Sequence, residues 1–108
     1  MSDVFNELFE VIKARQQQPQ EGSYTCYLFE KGLDKILKKC GEECAEVIIA
    51  AKNQDTQELT GEICDLMYHL MVLMAVKEVP MEQVTEELQK RGQKIGNLKH
   101  FHQVDKES

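Results

Sequence analysis

The feature that most constrains this chain is one segment that is apolar almost all round. From residue 63 to residue 76, every position is apolar or aromatic except Asp65 and His69. The spacing predicts a helix over about 56–78, and such a helix has to be buried on nearly all sides. In a chain of 108 residues, the remaining helices are too few to wrap it. We therefore expect a homodimer, in which a second protomer supplies the rest of the cover.

The other parts of the chain also have the periodicity of helices. Apolar residues recur at helical spacing in three further segments, at about residues 3–16, 23–53 and 80–91. Asp3 is suited to cap the first helix, and Asp55 or Thr56 the helix that begins near residue 56. Gly32 predicts a bend in the longest segment, and Pro80 stands in a first turn, where its missing N–H costs nothing. The sequence predicts an all-α bundle of four to five helices per protomer, completed by homodimerisation.

The predicted domain organisation is simple. Residues 1–91 are expected to form one all-α domain. Residues 92–108 lack periodicity and are expected to form a flexible C-terminal tail.

Charge and composition exclude several classes of function. The chain has 13 Lys and Arg against 19 Asp and Glu, a net charge of −6, which argues against broad binding to nucleic acid. Trp is absent and aromatic residues make up 6%, which argues against platforms for stacked bases. The longest unbroken apolar run, residues 70–76, is far shorter than the roughly 18 residues of a membrane span. We expect a soluble protein that binds neither nucleic acid nor a membrane.

The four cysteines indicate a reducing compartment. They form no C-x-x-C pair, and the chain opens without an apolar signal segment, so we expect free thiols in the cytoplasm. Cys40 and Cys44 lie four apart and thus on one helical face. Without a further pair of Cys or His residues, we favour two small buried apolar side chains over a site for a soft metal.

Four acidic side chains are predicted to converge. Glu43 and Glu46 are three residues apart, as are Glu62 and Asp65, so each pair shares a helical face. If the two helices form an antiparallel hairpin that turns at residue 54, position i lies level with position 108 − i. That register sets Glu46 opposite Glu62 and Glu43 opposite Asp65.

Carboxylates gathered in this way need a compensating cation, because like charges repel and an unpaired buried charge is costly. A set of oxygen ligands without His or Cys selects Mg²⁺ or Mn²⁺ over zinc. Mg²⁺ held by carboxylates keeps positions open for water and substrate phosphates, which points to an enzyme acting on a polyphosphate. The alternative is a solvated acidic face. Asp65 argues against it, because it stands in an otherwise apolar helix.

Basic residues precede the acidic ones on the same helix. Two lysines share a stripe with two glutamates, at positions Lys35, Lys39, Glu42 and Glu46. Cations one or two turns from a metal cluster suit phosphates that extend past the ion; ordinary ion pairs are the alternative for each single lysine. His69, one turn beyond Asp65, either orients a carboxylate or phosphate or is a core histidine hydrogen-bonded to a neighbour.

Two motifs make the sequence resemble a known superfamily. The signature E-E-x-x-E followed by E-x-x-D is typical of the all-α nucleoside triphosphate pyrophosphohydrolases (MazG-like), and it occurs here at 42–46 and 62–65. S-Y-T at 23–25, K-x-G-E-E at 39–43 and D-L-x-Y-H-L at 65–70 resemble, more narrowly, the phosphoribosyl-ATP pyrophosphohydrolase family of histidine biosynthesis. The resemblance covers about residues 4–91.

The resemblance implies hydrolysis of 1-(5-phosphoribosyl)-ATP to 1-(5-phosphoribosyl)-AMP and pyrophosphate, the second step of that pathway. It implies a Mg²⁺-dependent, nucleotide-binding homodimer in the cytoplasm. The implied metal ligands are Glu43, Glu46, Glu62 and Asp65, with Glu42 as a further catalytic residue. The implied substrate-contacting or site-shaping residues are Ser23, Tyr24, Thr25, Lys35 and Lys39. The cyclohydrolase of the next step, fused to this domain in some relatives, has no room in this chain and is expected to be a separate protein.

Within this interpretation, cleavage falls on the α–β phosphoanhydride. Glu42 or Glu46 is the candidate base for the attacking water, with Lys35 or Lys39 near the leaving pyrophosphate. Two alternatives stay open. One is a housecleaning enzyme of the same superfamily that hydrolyses ordinary or damaged nucleoside triphosphates. The other is a non-catalytic helical module that uses its apolar helix only for dimerisation or partner binding.

Overall fold

The computed structural model describes residues 3–94, and within that range the chain is helical and has no β-strand. The helices are α1 (Val4–Gln17), α2 (Tyr24–Lys31), α3 (Leu33–Lys52), α4 (Thr56–Lys77) and α5 (Met81–Lys94). The predicted all-α class is confirmed, with the helix count at the upper end of the prediction. The last helix runs to Lys94 rather than to about residue 91, and the rest of the predicted tail lies outside the described residues.

Aspartate side chains begin two of the helices, as predicted. Asp3 accepts hydrogen bonds from the backbone N–H groups of Phe5 and Asn6, at 3.1 and 3.2 Å. Asp55 does the same at the start of α4, at 3.0 and 3.2 Å. Each cap satisfies two of the four N–H groups that a helix start leaves without an intrahelical partner.

The predicted bend near Gly32 is a complete break between two helices. Gly32 has φ 94° and ψ −175°, a conformation that only glycine adopts without strain. Its N–H donates to the carbonyl of Leu28 and its carbonyl accepts from the N–H of Ile36, so it closes α2 and opens α3. The break lets α2 turn back over α3 and α4 instead of extending α3.

α3 and α4 form the antiparallel hairpin on which the rest of the fold is built. The thiol of Cys40 donates to the backbone carbonyl of His69 over 3.6 Å, within one residue of the predicted register. The core contains side chains from all five helices, namely Phe9, Ile12, Leu28, Ile36, Cys40, Met71, Val72, Ala75 and Met81. Only the C-terminal half of α4 contributes to this core, so the acidic half of the helix lies beside it.

α4 remains largely uncovered in a single protomer. Among the described helices, α4 alone is long and apolar enough, by length and composition, to cross a membrane. Only 22% of its most apolar 18-residue stretch is buried. Met67 and Leu70 are each 41% exposed. The helix also carries Glu62 and Asp65 near its middle, where charged groups are costly in a bilayer. We interpret α4 as the central helix of a small soluble all-helical domain.

The four cysteines are free thiols. Cys40 is buried, as predicted, but Cys44 is exposed, so the prediction of a buried pair is wrong for Cys44. The reason is rotation along the helix: Glu43 points toward α4, and the next residue is turned by about 100° from it.

Candidate metal centre between α3 and α4

The α3–α4 hairpin brings three carboxylates from two helices to one point. One oxygen from each of Glu43, Glu62 and Asp65 lies within 4.8 Å of the other two. Glu43 comes from the middle of α3, and the other two residues are neighbours three apart on one face of α4. Helix packing alone therefore assembles a set of oxygen donors contributed by two separate motifs.

Two oxygens of this set are buried without a hydrogen-bond partner. They are Oε2 of Glu43 and Oε2 of Glu62, and Glu43 as a whole is only 6% exposed. A buried carboxylate oxygen without a partner costs free energy, because it has lost its water and received nothing in return. A positively charged ligand at this point would satisfy both oxygens.

Burial and mutual repulsion raise the pKa of two members of the set. The pKa of Glu43 is raised first by burial and then by the carboxyl group of Glu46, with a smaller contribution from Asp65. The pKa of Glu62 is raised first by the carboxyl group of Glu46, with which it can share a hydrogen bond only when one of the two is protonated, and next by burial. In both cases the negative form is disfavoured, and a bound cation would reverse this.

The donors fit a hard divalent cation. Carboxylate oxygens without a sulfur or imidazole ligand are typical of Mg²⁺ and Mn²⁺ sites. His69 lies one turn from Asp65, but both of its ring nitrogens have other partners. The chemistry of the site is therefore that of oxygen ligands alone.

Two of the predicted acidic residues lie at the margin of the set. Glu46 is outside the group of three, yet its carboxyl group acts on both Glu43 and Glu62. Glu42 points elsewhere: its Oε1 lies 3.4 Å from Nζ of Lys39. Nζ of Lys39 is also 3.8 Å from Oε1 of Glu43, so this lysine is the cation that the structure places nearest the carboxylates.

Tyr24 connects the first turn of α2 to the site. Nδ1 of the buried His69 donates to the backbone carbonyl of Asp65 at 2.7 Å, which leaves Nε2 to accept from the Tyr24 hydroxyl at 3.0 Å. The charges of Lys39 and Glu43 both act on the pKa of Tyr24, although burial is the largest cause of its rise. The structure therefore favours the core interpretation of His69, with the added feature that the histidine holds a site tyrosine.

The other predicted binding residues make no hydrogen bond or ion pair with the carboxylates in the part of the chain that the structure describes. Ser23 caps α2, since its Oγ accepts from the N–H of Cys26 at 3.2 Å, and Thr25 is hydrogen-bonded to the hydroxyl of Tyr68. Lys35 lies one turn before Lys39 and, within residues 3–94, makes no ion pair. The structure brings Lys39 and Tyr24 to the carboxylates and leaves Lys35 uncommitted.

An aromatic cluster that was not predicted from the sequence surrounds His69. The rings of Tyr24 and Tyr68 stack at 6.2 Å, Tyr24 also stacks on Tyr27 at 6.0 Å, and the imidazole meets the edge of Tyr68 at 5.0 Å. All three tyrosines of the chain belong to this cluster. The sequence feature that could have predicted part of this cluster is the spacing within residues 65–70, where Tyr68 and His69 follow Asp65 by about one helical turn.

Comparison with known proteins gives one consistent family. The family model described as phosphoribosyl-ATP pyrophosphohydrolase matches residues 5–92. A protein of Clostridium botulinum (strain Kyoto / Type A2) is 59% identical over 99 residues, which cover 92% of this chain and 90% of the relative. A protein of Listeria monocytogenes (strain EGD-e) is 55% identical over 102 residues, or 94% of this chain and 98% of the relative. Both relatives are named phosphoribosyl-ATP pyrophosphatase.

Proposed function

The chain belongs to the phosphoribosyl-ATP pyrophosphohydrolase family, and we propose from this premise that it hydrolyses 1-(5-phosphoribosyl)-ATP to 1-(5-phosphoribosyl)-AMP and pyrophosphate. This is the second step of histidine biosynthesis. One observation carries the proposal beyond the relatives' names. Three carboxylates from the two family motifs converge, and two of their oxygens are buried without a partner.

We propose that Glu43, Glu62 and Asp65 hold Mg²⁺, with one oxygen of Glu46 completing the set and the other left free, and that Mn²⁺ can replace Mg²⁺. The proposal is supported by the oxygen-only donors and by the two unpaired oxygens. A divalent ion bound there would neutralise charge on the phosphate oxygens of a triphosphate.

The chain's own residues account for the proton transfer. Glu46 is the better candidate for the base, because Glu42 is engaged by Lys39 at 3.4 Å whereas Glu46 lies at the edge of the carboxylate set. Glu46 takes a proton from water, and the water oxygen bonds to one phosphorus of the α–β anhydride. The bond to the bridging oxygen then breaks, and its electron pair leaves with that oxygen.

Binding of the substrate falls to the residues around this point. Lys39 supplies a positive charge beside the carboxylates, and Lys35 follows one turn away along the same helix, where a phosphate chain would extend. Tyr24 presents a half-exposed ring at the site. Ser23 and Thr25 shape the site by capping α2 and by holding it to Tyr68 on α4.

We propose a homodimer in the cytoplasm. The apolar face of α4 continues into a groove whose lining is almost entirely apolar, formed by Phe5, Met67, Leu70, Met71, Met74, Met81, Val84, Thr85 and Leu88. Ile48 and Ile49 on α3 are 64% and 60% exposed. Exposed apolar patches of this kind are typical of protein interfaces. Free thiols suit a reducing compartment.

A pyrophosphate-release assay tests the proposed reaction. The purified chain is given phosphoribosyl-ATP, ATP, dUTP or dCTP, each with Mg²⁺ or with a chelator. We expect Mg²⁺-dependent release from phosphoribosyl-ATP at least 10²-fold faster than from the other nucleotides, since a site built for a substrate group discriminates strongly against its absence. Faster release from dUTP or dCTP would instead identify a housecleaning enzyme.

Variants connect the reaction to the proposed site. Asp65→Asn removes a charge from the carboxylate set and should lower turnover by about 10³-fold or more. Glu86→Gln, an exposed residue of α5, is the matched control and should be unchanged. Normal turnover in Asp65→Asn would remove this residue from the chemistry.

A further inference from the structure

Lys39 stands where a divalent cation would compete with it. Its Nζ lies 3.4 Å from Oε1 of Glu42 and 3.8 Å from Oε1 of Glu43. The Lys39 side chain is a quarter exposed, at 26%, whereas that of Glu43 is 8% exposed. The lysine thus reaches down from the rim of the site to the buried carboxylate that is central to it.

The two oxygens of Glu43 have different surroundings. Oε1 faces Lys39, whereas Oε2 is buried without a partner. One oxygen of the same carboxylate lies within 4.8 Å of oxygens of Glu62 and Asp65. The ammonium of Lys39 cannot balance all of these carboxylates, because it carries a single charge. Of the two oxygens of Glu43, it lies near Oε1. A divalent cation that bound Oε2 would weaken the attraction of Glu43 for Lys39 and would also repel the ammonium directly.

We propose that Lys39 is a resident counter-ion that a divalent cation displaces from Glu43, and that the released ammonium then binds a phosphate group of the substrate. This inference rests on the proposed function of the same site. It makes binding ordered: the cation enters first, and the phosphate chain binds to the ion and to Lys39 together. A lysine suits the transfer because its long flexible stem carries three rotatable donors.

The proposal predicts opposite effects of one substitution on two ligands. Lys39→Met removes the competing charge and keeps the length of the side chain. Binding of the cation alone should therefore become tighter, by roughly tenfold for a unit charge near the ion in a partly solvated site. Binding of a phosphate chain to the cation-loaded protein should become weaker, also by roughly tenfold, since a charge-assisted hydrogen bond is lost.

Mn²⁺ and inorganic pyrophosphate serve as probes, with no turnover required. The loss of the electron paramagnetic resonance signal of free Mn²⁺ on titration with the full chain gives the Kd of the cation at fixed ionic strength. Calorimetric titration of pyrophosphate into the Mn²⁺-loaded chain gives the second Kd. Lys38→Met is the matched control, because Lys38 is the exposed neighbour and carries the same charge; both of its Kd values should stay within about twofold of wild type. Lys39→Gln repeats the test with a polar side chain.

We expect both Lys39 variants to bind Mn²⁺ more tightly than the wild type and to bind pyrophosphate more weakly. Unchanged or weaker Mn²⁺ binding in these variants overturns the counter-ion role, and unchanged pyrophosphate binding overturns the transfer to phosphate. If the wild-type chain binds Mn²⁺ and releases pyrophosphate from its substrate in either of those cases, the proposed function stands and only this inference fails. Absence of Mn²⁺ binding by the wild type overturns both.

Discussion

The substitution Glu43→Gln should raise the stability of the metal-free protein and remove most of the stabilisation that Mg²⁺ provides. In the metal-free protein Glu43 is a buried carboxylate with one oxygen unpaired and two other carboxylates within 4.8 Å. The amide has nearly the same shape, carries no charge and can donate a hydrogen bond to a neighbouring carboxylate. Glutamine should therefore stabilise the metal-free fold and at the same time remove a ligand of the proposed ion.

The magnitude follows from the geometry. Two charges 4.8 Å apart repel by about 3 kcal/mol at an effective dielectric constant of 20. Partial protonation, solvent and the lost attraction to Nζ of Lys39 at 3.8 Å reduce this, whereas relief of the unpaired oxygen adds about 1 kcal/mol. We expect Glu43→Gln to raise the metal-free free energy of unfolding by about 1–3 kcal/mol, which raises Tm by about 4 °C or more in a domain of this size.

Mg²⁺ should reverse the order of the two proteins. An ion present at a thousand times its Kd stabilises the wild type by about 4.1 kcal/mol, which exceeds the advantage of the variant, and Glu43→Gln should gain little of this. Thermal unfolding is measured at one protein concentration with a chelator and again in a Mg²⁺ series, with Glu86→Gln as the control. We expect Glu43→Gln to be more stable than the wild type in chelator, and the wild type to be more stable than Glu43→Gln in Mg²⁺.

One outcome would refute the reasoning. If Glu43→Gln is less stable than wild type in chelator and both proteins respond equally to Mg²⁺, then Glu43 is a satisfied structural side chain. The convergence of carboxylates would in that case have no cation to explain it.

Three further predictions concern pH, a strained residue and the tyrosine contact. Because the pKa of Glu43 and that of Glu62 are raised above their ordinary value of 4.5, their contribution to metal-free stability falls as pH rises from 4.5 through the raised values. Urea unfolding should show the difference between Glu43→Gln and wild type widening over that range. Glu78 ends α4 in the left-handed conformation, with φ 57°, so Glu78→Gly should add roughly 0.5–1 kcal/mol to the free energy of unfolding. Tyr24→Phe leaves Nε2 of the buried His69 without its partner and should cost about 1–3 kcal/mol in the same assay.

Matched variants make these measurements decisive. Glu78→Ala retains the left-handed strain and should gain nothing, so an equal gain in both Glu78 variants would point to loss of the charge instead. Tyr27→Phe removes a hydroxyl from the neighbouring stacked ring, and its stability should not change. A difference between Glu43→Gln and wild type that narrows with rising pH would contradict the direction of the pKa shift.

Much of the site could be predicted because it depends on spacing along two helices. Residues three apart share a face of any helix, so the pairs at 43 and 46 and at 62 and 65 follow from their positions. The short turn near residue 54 then forces the hairpin and its register. The structure has the same register to within one residue, judged by the contact between Cys40 and His69.

The roles of the side chains within the cluster could not be predicted in this way. The spacing treats Glu42, Glu43 and Glu46 almost alike, yet only Glu43 is buried in the structure, and Glu42 is paired with Lys39. These differences arise from a rotation of about 100° per residue around the helix axis, combined with the position of α2. They appear only when three helices are in place.

The sequence by itself determined the helices, their caps, the hairpin and the set of acids that meet across it, because each of these follows from local periodicity or from a short turn. The tertiary structure alone decided that the bend predicted near Gly32 is a complete break, that α2 returns so that Tyr24 reaches His69, and that Lys39 contacts Glu43. Contacts of this kind join residues far apart along the chain, and their geometry depends on how the helices pack together. Burial is likewise a property of the packed assembly, and it is burial that leaves an oxygen of Glu43 without a hydrogen-bond partner.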